Sequence, residues 1–94
     1  MARERRSADA VQRAVGRRIS ELRSASGMTQ EEAATRLRML TSNYARIEQG
    51  HQNLTIETLV RMANLLDVAV GDLFVAPLSA NPAKPGRPRK RPAK

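Results

Sequence analysis

Thr29-Gln30-Glu31-Glu32-Ala33-Ala34-Thr35-Arg36-Leu37-Arg38-Met39-Leu40-Thr41-Ser42-Asn43-Tyr44-Ala45-Arg46-Ile47-Glu48-Gln49-Gly50 reads as two short helices with almost no linker between them. Thr29 and Glu32 stand at the spacing of a capping box, where each side chain accepts from the backbone N–H of the other residue. Ala33, Ala34 and Leu37 then share one face, and the two alanines admit a close neighbour. The spacing predicts a helix over 30–38 and another over Thr41–Gln49, closed by Gly50. In the second, Tyr44, Ile47 and the stem of Glu48 face inward, while Thr41, Ser42, Ala45 and Arg46 face away. Helices joined this tightly cannot fold back antiparallel. They cross steeply, and the second projects outward. A helix about 10–12 Å across fits the major groove of B-DNA.

The flanks supply a frame for this pair. Ser7 is placed to cap an upstream helix with Asp9 in its first turn, near the positive end of the dipole. Val11, Val15, Ile19 and Leu22 form one helical face, and Gly27 ends the run. Downstream, Thr55 begins a fourth helix whose apolar positions are Ile56, Leu59, Val60, Met62, Ala63 and Leu66. A short fifth helix is predicted near Val70–Phe74. No segment alternates as a strand does, so the class is all-α.

The chain has 94 residues and a net charge of +8, unevenly spread. From Asp9 to Leu78 basic and acidic side chains balance. The arm 1–8 holds Arg3, Arg5 and Arg6 against Glu4, and the segment 79–94 holds Lys84, Arg87, Arg89, Lys90, Arg91 and Lys94 with no acid. That divides the chain into a basic arm (1–8), a domain (9–78) and a Pro/Lys/Arg-rich tail (79–94) expected to be disordered. Basic ends suit a polyanion, since each neutralised phosphate releases counterions; keeping the protein soluble is the competing explanation. There is no cysteine, which removes disulfides, thiolate metal sites and a cysteine nucleophile. His51 is the one histidine and lacks metal-type company. No phosphate-binding glycine loop or acid pair stands out, so neither enzyme chemistry nor a cofactor or metal is expected. No apolar run approaches the roughly 20 residues of a membrane span, and residues 1–6 do not read as a signal peptide. The expected location is cytoplasmic and nucleoid-associated.

Several segments together resemble the Cro/C1-type (XRE-like) helix-turn-helix regulator family. Gly27-Met28-Thr29-Gln30-Glu31-Glu32-Ala33-Ala34 is similar to the opening of its second helix, and Tyr44-Ala45-Arg46-Ile47-Glu48-Gln49-Gly50 to the end of its recognition helix. Asn53-Leu54-Thr55-Ile56-Glu57-Thr58-Leu59 and Asp67-Val68-Ala69-Val70-Gly71-Asp72-Leu73-Phe74 resemble the fourth and fifth helices. The resemblance implies a five-helix, lambda-repressor-like domain that binds double-stranded DNA, commonly as a homodimer. It assigns Gln30 to a phosphate contact that also braces the recognition helix. It places Thr41 and Ser42 where base edges are read; N-capping is the other use of these residues. Asn43 is assigned to a base, a phosphate or solvent, and Arg46 to guanine, a phosphate or a surface acid. His51, Gln52 and Asn53 follow the helix, either at the DNA backbone or as a plain polar loop. Arg23 and Glu48 occupy the positions of a structural ion pair. Tyr44 and Ile47 belong to the core, with a phosphate contact as the lesser reading of the Tyr44 hydroxyl. Val68, Val70, Leu73, Phe74, Val75 and Leu78, with Leu65, are expected to supply a dimer face.

The sequence departs from the family at three positions. Arg38 replaces the turn glycine, which suggests a reshaped turn and a further phosphate contact. Leu40 replaces a Ser or Thr cap, which suggests a helix start moved by one residue. Asp67 replaces a helix-ending glycine. In the tail, Pro85-Gly86-Arg87-Pro88-Arg89-Lys90 resembles an AT-hook, with Arg87 and Arg89 suited to a narrow minor groove. The leading expectation is a sequence-specific transcriptional regulator, a dimeric repressor. The alternatives are a tail-driven architectural DNA binder and an antitoxin-like module with a protein partner.

Overall fold

A computed structural model describes residues 7–78 of the chain. Four α-helices are present: α1 (Ala8–Ala25), α2 (Gln30–Leu37), α3 (Thr41–Gln49) and α4 (Ile56–Leu66). The expected fifth helix, Val70–Phe74, is a tighter 3-10 turn. Ala8 is the first residue of α1, directly after the Ser7 N-cap. The arm residues 1–6 and the tail residues 79–94, with Arg87, Arg89 and the AT-hook-like motif, lie outside the described residues.

Three helices start on a side-chain cap. Ser7 Oγ accepts from the Ala10 N–H at 3.0 Å, and Thr55 Oγ1 from the Thr58 N–H at 3.0 Å. The capping box of α2 closes from both sides, Thr29 Oγ1 to the Glu32 N–H at 3.0 Å and Glu32 Oε1 to the Thr29 N–H at 2.9 Å. Helix α3 is the exception. Leu40 sits at its N-cap and makes no side-chain bond. The helix still starts at Thr41, so its register has not moved, and neither Thr41 nor Ser42 serves as the cap. Forgoing a capping side chain costs about 1 kcal/mol.

The turns that follow the helices each contain a left-handed residue. Gly27 and Gly50 have φ of 83° and 81°, and Arg38 and Asp67 reach φ of 60° and 59°. At each site the next residue's N–H reaches back to a helical carbonyl: Met28 to Arg23, Met39 to Ala34, His51 to Arg46 and Val68 to Ala63. This closing pattern satisfies orphan carbonyls. It also corrects the expectation at Arg38: the turn keeps the geometry a glycine would give it, and the arginine absorbs the strain of about 1–2 kcal/mol.

The core lies where the helices meet. Val15 and Ile19 of α1 pack with Ala33, Ala34 and Leu37 of α2, Tyr44 and Ile47 of α3, and Leu59, Met62, Ala63 and Leu66 of α4. Leu73 of the 3-10 turn is fully buried in the same cluster. It is therefore core and not part of a dimer face. Val68, Val70 and Leu65 are half-buried against the cluster. Phe74, Val75 and Leu78 are exposed, as are Ile56 and Val60 among the apolar positions of α4.

Helix α1 touches the end of α3 through glycine. A Cβ on Gly16 would stand 2.5 Å from the Ile47 carbonyl oxygen and 2.6 Å from that of Glu48. A Cβ on Gly50 would meet the Arg13 Cα at 2.7 Å. Glycine inside a helix normally loses about 1 kcal/mol to alanine. Here it permits backbone contact that fixes how α3 lies on α1.

Two substitutions test these points by chemical denaturation. Gly16→Ala should destabilise the domain by about 1–3 kcal/mol, the cost of overpacking, despite its better helix propensity. Arg38→Gly should stabilise it by about 1 kcal/mol by relieving the left-handed strain.

Candidate nucleic-acid interface

The inner face of α3 is held by a buried polar cluster. Arg23 Nε donates to Glu48 Oε2 at 2.6 Å and Arg23 Nη2 to Glu48 Oε1 at 3.2 Å. Both residues are buried. Arg23 Nη1 also donates to the Met28 carbonyl at 2.7 Å, just before α2. Gln30 Nε2 donates to Glu48 Oε1 at 2.8 Å. One carboxylate on α3 is thus gripped from α1 and from the first residue of α2. Burial pulls the Arg23 guanidinium toward its neutral form, but Glu48 outweighs that pull and leaves its pKa raised. The ion pair expected from the resemblance is present, and Gln30 braces α3 through it.

Tyr44 lies beside this cluster and is completely buried. That removes the phosphate contact considered for its hydroxyl. Burial, then the neighbouring Glu48 charge, pushes the phenol pKa well up. Among the described residues its oxygen has no hydrogen-bond partner.

The opposite side of α3 is open. Thr41, Ser42, Asn43 and Arg46 are all exposed. Ser42 and Asn43 precede Arg46 by four and three positions, so the three side chains lie along one strip of helix. Among the described residues Arg46 has no acidic partner; its Nε donates to Gln52 Oε1 at 3.3 Å and its Nη2 to the His51 carbonyl at 3.5 Å. These bonds fold the guanidinium toward the loop after α3. His51 and Asn53 are exposed in that loop and Gln52 is half-buried. Arg38 is exposed in the turn before α3. The candidate residues therefore occupy the turn, the outer face of α3 and the loop after it. Gln30 joins them at the start of α2, with its amide nitrogen already committed to Glu48.

Some positioning residues were not legible beforehand. Gly16 could have been noticed as a glycine interrupting an amphipathic helix. Arg18 Nε donates to the Asp72 carbonyl at 2.9 Å and anchors the 3-10 turn to α1. Arg61 of α4 donates to the Leu37 carbonyl at the end of α2. The sequence counts both arginines only among the basic residues of the domain, because a backbone-carbonyl partner leaves no mark in the pattern of side chains.

With this geometry in view, a family profile described as a helix-turn-helix domain matches residues 14–74. The chain belongs to the Cro/C1-type helix-turn-helix family. The HTH-type transcriptional regulator ImmR of Bacillus subtilis is 32% identical over 60 residues, which is 64% of this chain and 47% of ImmR. The chain thus spans about half the length of that relative. The restriction-modification controller protein C.AhdI from Aeromonas hydrophila superposes with a TM-score of 0.63 at 32% identity, over 72% of this chain and 100% of C.AhdI. The clp gene regulator ClgR from C. glutamicum shares the fold, with a TM-score of 0.64 at 24% identity over 67% of this chain and 82% of its own. In this helix-turn-helix chain α2 and α3 both lie wholly within the matched residues.

The buried pair sets a clear mutational expectation. Glu48→Leu strands the Arg23 charge and should cost about 3–5 kcal/mol in urea denaturation. Arg23→Met combined with Glu48→Leu should recover most of that loss, because the buried charge is then gone. A double variant no more stable than Glu48→Leu would show that the pair itself carries the stability.

Proposed function

We propose that this chain is a sequence-specific, double-stranded DNA-binding transcriptional regulator, a dimeric repressor that reads the major groove with α3. One observation carries the reading: α3 is clamped on its inner face by Arg23, Glu48 and Gln30 while its outer face presents Thr41, Ser42, Asn43 and Arg46 to solvent. A clamped helix brings its outer groups to a duplex pre-oriented, and pre-organisation limits the ordering cost of binding. Arg46 suits guanine O6 and N7, and the hydroxyls of Thr41 and Ser42 suit either donors or acceptors. Arg38, His51, Gln52 and Asn53 flank the helix as phosphate contacts, with Gln30 at the start of α2. Phosphate contacts position the protein and base contacts specify the site.

Phe74, Val75 and Leu78, exposed beyond α4 and flanked by half-buried Val68 and Val70, are the proposed dimer face. Two copies would place their recognition helices in successive major grooves, with half-sites about 34–36 Å apart. The names of ImmR and C.AhdI, a transcriptional regulator and a controller protein, support regulation as the role. The basic ends, including Arg87 and Arg89, add phosphate attraction and a minor-groove contact to this reading.

Selection of duplexes from a random library near physiological salt tests it, using the full chain and a version ending at Leu78. A palindromic site enriched by both is the expected outcome. Binding without enrichment, lost with the tail, would instead make the protein an architectural binder, and no binding would point to a protein partner. On the selected site, Arg46→Ala should weaken binding by about 1–3 kcal/mol and relax preference at one base pair.

A further inference from the structure

Leu40 is a large apolar side chain in a place that favours a small polar one. It occupies the N-cap of α3, makes no capping bond, and is 69% exposed. Neither its neighbours in the turn nor the core covers it. It sits directly before Thr41, Ser42 and Asn43, the exposed first turn of the recognition helix. The leading end of α3 therefore carries an uncapped apolar tip followed by three polar groups. The major-groove edges of the bases offer one apolar feature, the C5-methyl of thymine.

We propose that Leu40 is a specificity-determining residue that packs against a thymine methyl in the major groove. The inference rests on the reading of α3 as the helix that enters that groove. It explains why the position forgoes a cap: a serine or threonine there would satisfy the helix but reach less far with less apolar surface. It also divides the labour along α3, with Leu40 reading a methyl at the leading end and Arg46 a hydrogen-bonding edge nearly two turns further on. Thr41 carries a methyl too, so the test must separate the two.

The experiment uses the full chain and the duplex it selects, with each thymine of one half-site replaced in turn by deoxyuridine. That replacement removes one methyl and leaves every hydrogen-bonding group in place. For the unaltered protein, one position should lose affinity about fourfold, the value of one buried methyl-sized group. For Leu40→Ser that position should show no loss, whereas Thr41→Ser should retain it. Leu40→Ser supplies a capping hydroxyl, so its thermal midpoint should match or exceed that of the parent and any binding change is not unfolding. Leu40→Ala, which restores neither cap nor bulk, should be equally blind to the methyl. A site indifferent to deoxyuridine at every position would overturn the proposal, as would sensitivity that survives Leu40→Ser or disappears with Thr41→Ser. If no sequence is selected at all, the reading of α3 itself fails, and that outcome is distinct from the other three.

Discussion

The bidentate bond between Arg23 and Glu48 is the constraint on which the rest of this small domain depends. Helix α3 is only nine residues long and could not hold its shape alone, because isolated helices under about 12–15 residues are marginal in water. Its direction is set by its neighbours. Glu48 near its end is held by Arg23 of α1, and Gln30 at the first position of α2 holds the same carboxylate. The three helices are thus tied at one buried point. Burying two charges is costly unless every lone pair and proton finds a partner. Here the carboxylate takes bonds from two residues, and the guanidinium also reaches the Met28 carbonyl.

That polar tie works with a steric one. Gly16 and Gly50 let the backbones of α1 and the end of α3 come closer than any side chain allows. The glycines set a distance, and the ion pair sets an orientation. Arg38 in the turn and Leu40 at the N-cap then represent local costs that this framework tolerates. Both are exposed and lie beside the open face of α3. Local rules are expected to fail at functional or strained sites.

The same economy governs the apolar surface. Leu73 folds into the core while Phe74, the next residue, points out. The 3-10 turn makes that switch, and Arg18 anchors the turn by bonding to the Asp72 carbonyl. Ile56 and Val60 remain exposed on α4 because Leu59, Met62, Ala63 and Leu66 already complete its inner stripe. An amphipathic helix can carry more apolar residues than a core of this size has room to bury.

The sequence by itself determined the four helices, the capping box at Thr29 and Glu32, the ungapped pair of helices and the inward turn of Tyr44, Ile47 and Glu48. Those features are local: they follow from the 3.6-residue period and from side chains that bond within three or four residues of their own backbone. The pairing of Arg23 with Glu48 was legible only through the resemblance to a family, since the residues are far apart in the chain. Only the tertiary structure decided that Gly16 is a contact point, that Leu73 is core and Phe74 is not, that Arg18 and Arg61 serve backbone carbonyls, and that Leu40 stands uncovered. Each of these depends on what lies across the interface, and one-dimensional periodicity gives the face of a helix without saying what that face will meet.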